Sequence, residues 1–367
     1  MDRVSLKRSS LTNSSTLKII LALSGIFMAG IGSTMAQDYP PSPVIERIII
    51  ENKRMISFGD GDNFPVTWAD DGKLYTMYCD GAGFDDIPID QWKSNGFAEL
   101  ICTPFAIKGK NIPSPDIEFD GSGRSGRKAT GLVCIKGVLY SLVRNLNTDG
   151  TGMSLFWSAD KGKTWTEAEW GWPEIGLADW LNMGQDYTEN RDGYAYFIAH
   201  AGNDAYEIYD GFIMARVRID SILDKNAYWY FSGWNGGTPA WSPNFSDRKP
   251  VFEAPGRCYR PCIVYNPGIN RYLLFTIPWR SKGEFFERYI GIFDAPNPWG
   301  PWTIADEITD FTEERYHPRV PSKWISSDGR SFGFNYSVLS KNLGKSRYRY
   351  NLEEAHIILR DPAGNSR

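Results

Sequence analysis

The stretch Arg257–Thr276, RCYRPCIVYNPGINRYLLFT, constrains this chain more than any other, because it shows a unit that recurs. Basic and aromatic residues lead into an apolar run (Cys262, Ile263, Val264, Tyr265), a turn follows at Asn266-Pro267-Gly268, and a second apolar run (Tyr272, Leu273, Leu274, Phe275) returns. That is the pattern of a β-hairpin. It stands again at Phe64–Tyr78, Ala129–Val143, more loosely at Met183–Ala199, and at Pro321–Tyr336. The turn glycines Gly72, Gly137, Gly193, Gly268 and Gly329 lie 65, 56, 75 and 61 residues apart. Roughly 40 to 50 residues make one four-stranded propeller blade, and longer periods leave room for loops on one face. The spacing predicts an all-β chain folded as a five-bladed β-propeller, in preference to a sandwich with many hairpins. A β-branched strand at Val44–Ile50 is expected to join the last blade beside Ala355–Leu359, closing the ring and removing its open edge.

Residues 1–36 read as a signal peptide. Arg3, Lys7, Arg8 and Lys18 precede or flank an apolar run, Ile19–Ile31, that is too short to span a bilayer, and Thr34-x-Ala36 ends it as a cleavage site does. Residues 37–367 are then expected to form a single propeller domain in a secreted or periplasmic protein with no stable membrane span. Removing Asp2 and the four basic residues with that segment moves the formal net charge from −4 to −7. Such a balance gives no electrostatic reason to expect nucleic acid or an anionic membrane as partner. Five cysteines (Cys79, Cys102, Cys134, Cys258, Cys262) are too few and too uneven for a disulfide scaffold. In an extended segment, Cys258 and Cys262 would stand about 13 Å apart, beyond the roughly 7 Å that a disulfide tolerates. With three histidines in the chain, a structural zinc site is not expected. Nothing in the sequence indicates an oligomeric state.

Asp62–Phe84, DNFPVTWADDGKLYTMYCDGAGF, resembles the opening of a family of secreted bacterial propellers that includes endo-D-arabinanases. YNPGINRYLLF, Phe293–Thr303 (FDAPNPWGPWT) and Lys323–Phe334 (KWISSDGRSFGF) resemble the same group, so the likeness covers most of the chain. It implies a carbohydrate-active propeller. Cys79 stands where the family pattern leads one to expect a small residue such as glycine. Ser158-x-Asp160-x-Gly162-x-Thr164-Trp165 matches the Asp-box of sialidase-like propellers, a turn device and not a catalytic motif.

In a propeller, the residues just before the first strand and just after the second strand of each blade emerge on one face. That places Asp60, Asp62, Asn63, Arg127, Lys128, Gln185, Asp186, Tyr259, Arg260, His317 and Arg319 before first strands, and Asp80, Arg144, Asn145, His200, Trp279, Arg280 and Ser337 after second strands. A glycoside hydrolase needs two carboxyl groups flanking the scissile bond. Asp62, Asp80 and Asp186 are the candidates, with Asp62 as nucleophile or base and Asp186 as acid. Asn63, Arg127, Arg260, Trp279 and Arg319 are candidate substrate contacts. A polysaccharide lyase would use the same face differently: a cation such as Arg260 or Arg319 neutralises a uronate carboxylate, and Tyr259, His200 or His317 moves the proton. A non-catalytic glycan-binding propeller is the third reading. In each the partner is a polysaccharide or oligosaccharide, and neither reaction requires a cofactor.

Overall fold

In the computed structural model, residues 39–85, 92–101, 108–277, 290–309, 315–340 and 347–361 are described. They form five antiparallel sheets arranged as the blades of a propeller. The inner strands are largely buried, and blades one to four extend outward through strands that follow in sequence.

Blade one has a split inner strand, Asp60–Asp62 and Val66–Trp68, both paired with Leu74–Gly83, which is followed outward by Lys93–Ile101 and Lys108–Ile112. Blade two runs Lys128–Ile135, Val138–Arg144, Met153–Ser158 and Thr166–Trp172. Blade four runs Cys262–Asn266, Arg271–Thr276, Ile290–Ala295 and Thr303–Ile308. These three follow the hairpins expected from the repeat.

Two inner strands lie upstream of their expected positions. In blade three the inner strand is Ala178–Trp180, paired with Tyr194–His200, so Met183–Gly193 is the connection between the strands. In blade five it is Tyr316–Arg319, paired with Ser331–Ser340, while Ser322–Trp324 forms a 3₁₀ turn. The longest repeat period is also explained. Blade three carries an extra outer hairpin, Trp229–Asn235 with Thr238–Ser242, and Phe252–Cys258 pairs back onto Tyr209–Arg218.

The ring closes as the β-branched start of the chain suggests. Ile45–Phe58 pairs antiparallel with Arg347–Leu359, with Ile48 opposite Ile357 and Ile50 opposite Ala355, and so completes blade five. Apolar clusters fill the wedges between neighbours: Phe97 and Leu132 between blades one and two, Leu142, Phe197 and Leu274 across blades two to four, Leu273 and Phe334 between four and five, and Phe64 and Tyr350 between five and one.

The Asp-box works as a turn. Asp160 accepts bonds from the Thr164 N–H at 3.0 Å and the Thr164 hydroxyl at 2.7 Å, which hold its carboxyl down at about 2. The Trp165 indole donates to the Gly162 carbonyl at 3.1 Å and packs edge-on against Phe97 of blade one. Cys79, Cys134, Cys258 and Cys262 are all buried free thiols, as the distance argument for the last two requires.

Candidate active site

The face where inner strands begin and second strands end is marked by backbone strain. Five non-glycine residues there adopt the left-handed region: Asn63 (φ 48°), Asp80 (φ 49°), Asn145 (φ 64°), Arg260 (φ 53°) and His317 (φ 53°). Such conformations persist where surrounding structure over-determines them, and they gather at working sites. Here they turn side chains from blades one, two, four and five toward the axis.

Asp62 and Asp80 are neighbours across a strand pair, since Asp62 lies opposite Cys79. Asp62 is buried. Loss of solvent, and next the Asp80 charge, push its carboxyl up to about 7, against the pull of Arg144, Lys128 and Arg260. Asp80 is more open. Its carboxyl is also raised by burial, but the Lys128 ammonium stands 3.1 Å away and favours the charged form. Lys128 is fully buried and further held by the Gly123 and Gly126 carbonyls. Two carboxyl groups in one pit thus have different surroundings: one in a dry pocket that keeps its proton near neutrality, the other beside a fixed cation.

Blades three to five contribute the rest. The Arg260 guanidinium lies over the Tyr259 ring at 4.5 Å and the Tyr316 ring at 5.3 Å, and donates to the Tyr259 hydroxyl at 2.8 Å. His200 accepts from the Arg260 backbone N–H through Nε2 at 3.3 Å, which leaves the ring proton on Nδ1. His317 packs on Tyr316 with ring centroids 4.2 Å apart, and neither of its ring nitrogens has a partner. Burial, with Arg260 and other cations nearby, drives both histidines well below their ordinary value, so both are neutral. Asp62, Tyr259, His200 and His317 therefore share one pit.

Asn63 and Arg319, expected as substrate contacts, are instead the floor of that pit. The Asn63 backbone N–H donates to the Ser337 hydroxyl at 3.1 Å, and its side-chain amide donates to the Ala129 carbonyl. Arg319 donates to the Thr130 carbonyl at 3.0 Å and to Asn63 Oδ1 at 3.4 Å, and pairs with Asp179 at 3.3 Å. These bonds join blades one, two, three and five beneath the acids.

Two expected residues point elsewhere. Asp186 follows the inner strand of blade three and so lies on the opposite face, where it accepts from the Gly137 N–H at 2.8 Å and the Cys134 thiol at 3.3 Å. The upstream shift of that inner strand is the reason. Asp70, Cys134 and Asp186 form a cluster there, within 4.8 Å of one another, but the Lys161 ammonium already stands 2.6 Å from Asp70, and the cluster acts as a clasp between blade turns. Arg127 turns outward along blade two, over Phe119 and Phe156 and onto Glu167, leaving the pit to its neighbour Lys128. Trp279 and Arg280 lie outside the described residues.

The pit also holds Tyr206 and Tyr316, which the hairpin pattern did not single out. Tyr206 comes from the loop after His200, donates to the Gly123 carbonyl at 2.5 Å and sits under the Arg144 guanidinium at 4.9 Å. Tyr316 was concealed by the misplaced first strand of blade five. Its position directly before His317 is the signal that a correct register reveals.

No family model matches this chain, and no curated protein does. Among solved structures, a Bacteroides ovatus protein described as a candidate hydrolase aligns with a TM-score of 0.51 at 12% identity, over 83% of this chain and 93% of its own. The catalytic domain of a family 62 α-L-arabinofuranosidase from Coprinopsis cinerea gives 0.49 at 11% identity, over 82% and 96% of the two chains. A family 117 glycoside hydrolase from Zobellia galactanivorans gives 0.47 at 13%, over 84% and 90%. At such identities the likeness is one of fold, and the first of these structures carries it.

Proposed function

We propose that this chain is an exported glycoside hydrolase that cleaves a polysaccharide or oligosaccharide in the pit at the head of the propeller, with Asp62 as general acid and Asp80 as nucleophile. The fold leaves the chemistry open. The observation that carries the reading is the pair of carboxyl groups with contrasting surroundings, Asp62 raised to about 7 and Asp80 beside Lys128. Protonated Asp62 gives its proton to the glycosidic oxygen as the C–O bond breaks, and ionised Asp80 forms the new bond to the anomeric carbon. Water, deprotonated by Asp62, then releases the sugar and restores both groups. This reverses the roles expected from sequence: burial makes Asp62 the proton carrier, and Asp186 is too far round the fold to take part.

A second reading, β-elimination, is favoured by the neutral imidazole of His317, whose unpaired ring nitrogens can accept a proton beside Tyr259 and Arg260. Product analysis separates the two. Digestion of a glycan panel is expected to release reducing ends without the ultraviolet absorbance of an unsaturated uronate. Both signals together would establish the lyase, and binding without turnover would leave a lectin-like propeller.

A further inference from the structure

Five arginines are buried among the described residues: Arg144, Arg260, Arg271, Arg315 and Arg319. Three of them face buried carboxylates. Arg271 pairs with Asp294 at 2.6 Å, Arg315 with Glu353 at 2.5 Å, and Arg319 with Asp179 at 3.3 Å. Arg144 and Arg260 break the pattern. Each is at most 2% exposed, and in each both Nε and Nη1 lack a hydrogen-bond partner. Both belong to the pit, and the partly exposed Tyr206 ring lies beneath the two guanidiniums, 4.9 Å from Arg144 and 5.9 Å from Arg260.

A buried guanidinium with open donors is destabilising unless something supplies the missing acceptors. Asp62 is within electrostatic reach of both but is drawn toward its protonated form, and Asp80 is engaged by Lys128. With Asp62 protonated, Lys128, Arg144 and Arg260 exceed the charge of Asp80 by two. The neighbouring histidines are neutral and supply no counter-charge.

We propose that the pit binds a glycan bearing an oxyanion substituent, a carboxylate or a sulfate, and that Arg144 and Arg260 grip that substituent with the donors now open. Planar guanidiniums match both groups through paired N–H donors. The inference rests on the reading of the pit as the substrate site, and it holds for hydrolysis and elimination alike. It narrows the substrate from any polysaccharide to an acidic one.

Equilibrium titration tests it without depending on turnover. The probes are oligogalacturonate and its carboxyl-reduced counterpart, a carrageenan oligosaccharide, which carries sulfate but no uronate, and its desulfated counterpart, and neutral arabinan, at fixed ionic strength. The charged member of at least one pair is expected to bind at least about tenfold tighter than its neutral partner, the scale of one charge-assisted hydrogen bond. Arg144→Gln and Arg260→Gln are expected to erase that preference, and Arg260→Lys to restore part of it. Which pair shows the preference identifies carboxylate or sulfate. Equal affinity within both pairs, exclusive binding of arabinan, or a preference that survives both Gln variants would overturn the proposal. Loss of turnover in Asp62 or Asp80 variants with the anion preference intact would leave it standing while testing the hydrolase reading separately.

Discussion

Replacing Asp62 by asparagine should abolish turnover and yet stabilise the protein at alkaline pH. The carboxyl is raised from 3.8 to about 7 in the folded chain, so between those values the folded state holds a proton that the unfolded state has lost. Stability must therefore fall as pH rises through that window, at about 1.4 kcal/mol per unit, to a limit of ~4 kcal/mol. Coupling to Asp80 spreads the titration over both groups. Asparagine keeps the shape and removes the proton-linked loss. Urea denaturation of both proteins should show a small difference at about pH 4.5 and an advantage of ~2–4 kcal/mol for Asp62→Asn at about pH 8. The activity of the unmodified enzyme should fall as pH rises through about 7, because the acid is lost there. A stability gap that is flat with pH, or activity that rises through the same window, would refute the assignment of Asp62 as proton donor.

Three other perturbations bear on neighbouring parts of the account. Lys128→Met removes the cation beside Asp80, so the pH at which Asp80 ionises, and with it the acid-side limb of the activity profile, should move upward. Asp294→Ala leaves Arg271 buried without its partner and should destabilise by ~3–5 kcal/mol in the same denaturation assay. Gly162→Ala forces a side chain onto a backbone at φ 83° and puts Cβ 2.0 Å from the Phe97 ring, so the melting temperature should drop by several degrees, about the effect of 1–2 kcal/mol or more.

The hairpin repeat carried the fold because each inner hairpin buries two apolar runs against its neighbours, and that need is visible as pattern. Val264 and Leu273, or Leu132 and Leu142, are legible for this reason. The pattern weakens where an inner strand is polar. Ala178–Trp180 and Tyr316–Arg319 carry the polar residues Asp179, His317 and Arg319, of which Asp179 and Arg319 pair with each other between blades three and five. Their upstream positions escaped a search for apolar alternation, and Asp186 was carried onto the wrong face with them. Asp62, Asp80, Tyr259 and Arg260 were placed on this face because strand ends in the well-patterned hairpins of blades one and four determine it; His200 followed from the second strand of blade three, and His317 reached the same face although its strand begins upstream of the expected position. Tyr206 was not, since it reaches the pit on a loop whose path no periodicity encodes. The charge state of Asp62 was equally hidden, because it depends on burial and on Asp80.

The role of the carboxyl pair is tested most directly by removing the nucleophile and supplying another. Asp80→Gly should lose turnover on a cleavable glycan, and added azide should restore bond cleavage with a glycosyl azide as product, detected by mass spectrometry. Undiminished release of reducing ends by Asp80→Gly in the absence of azide would contradict the account.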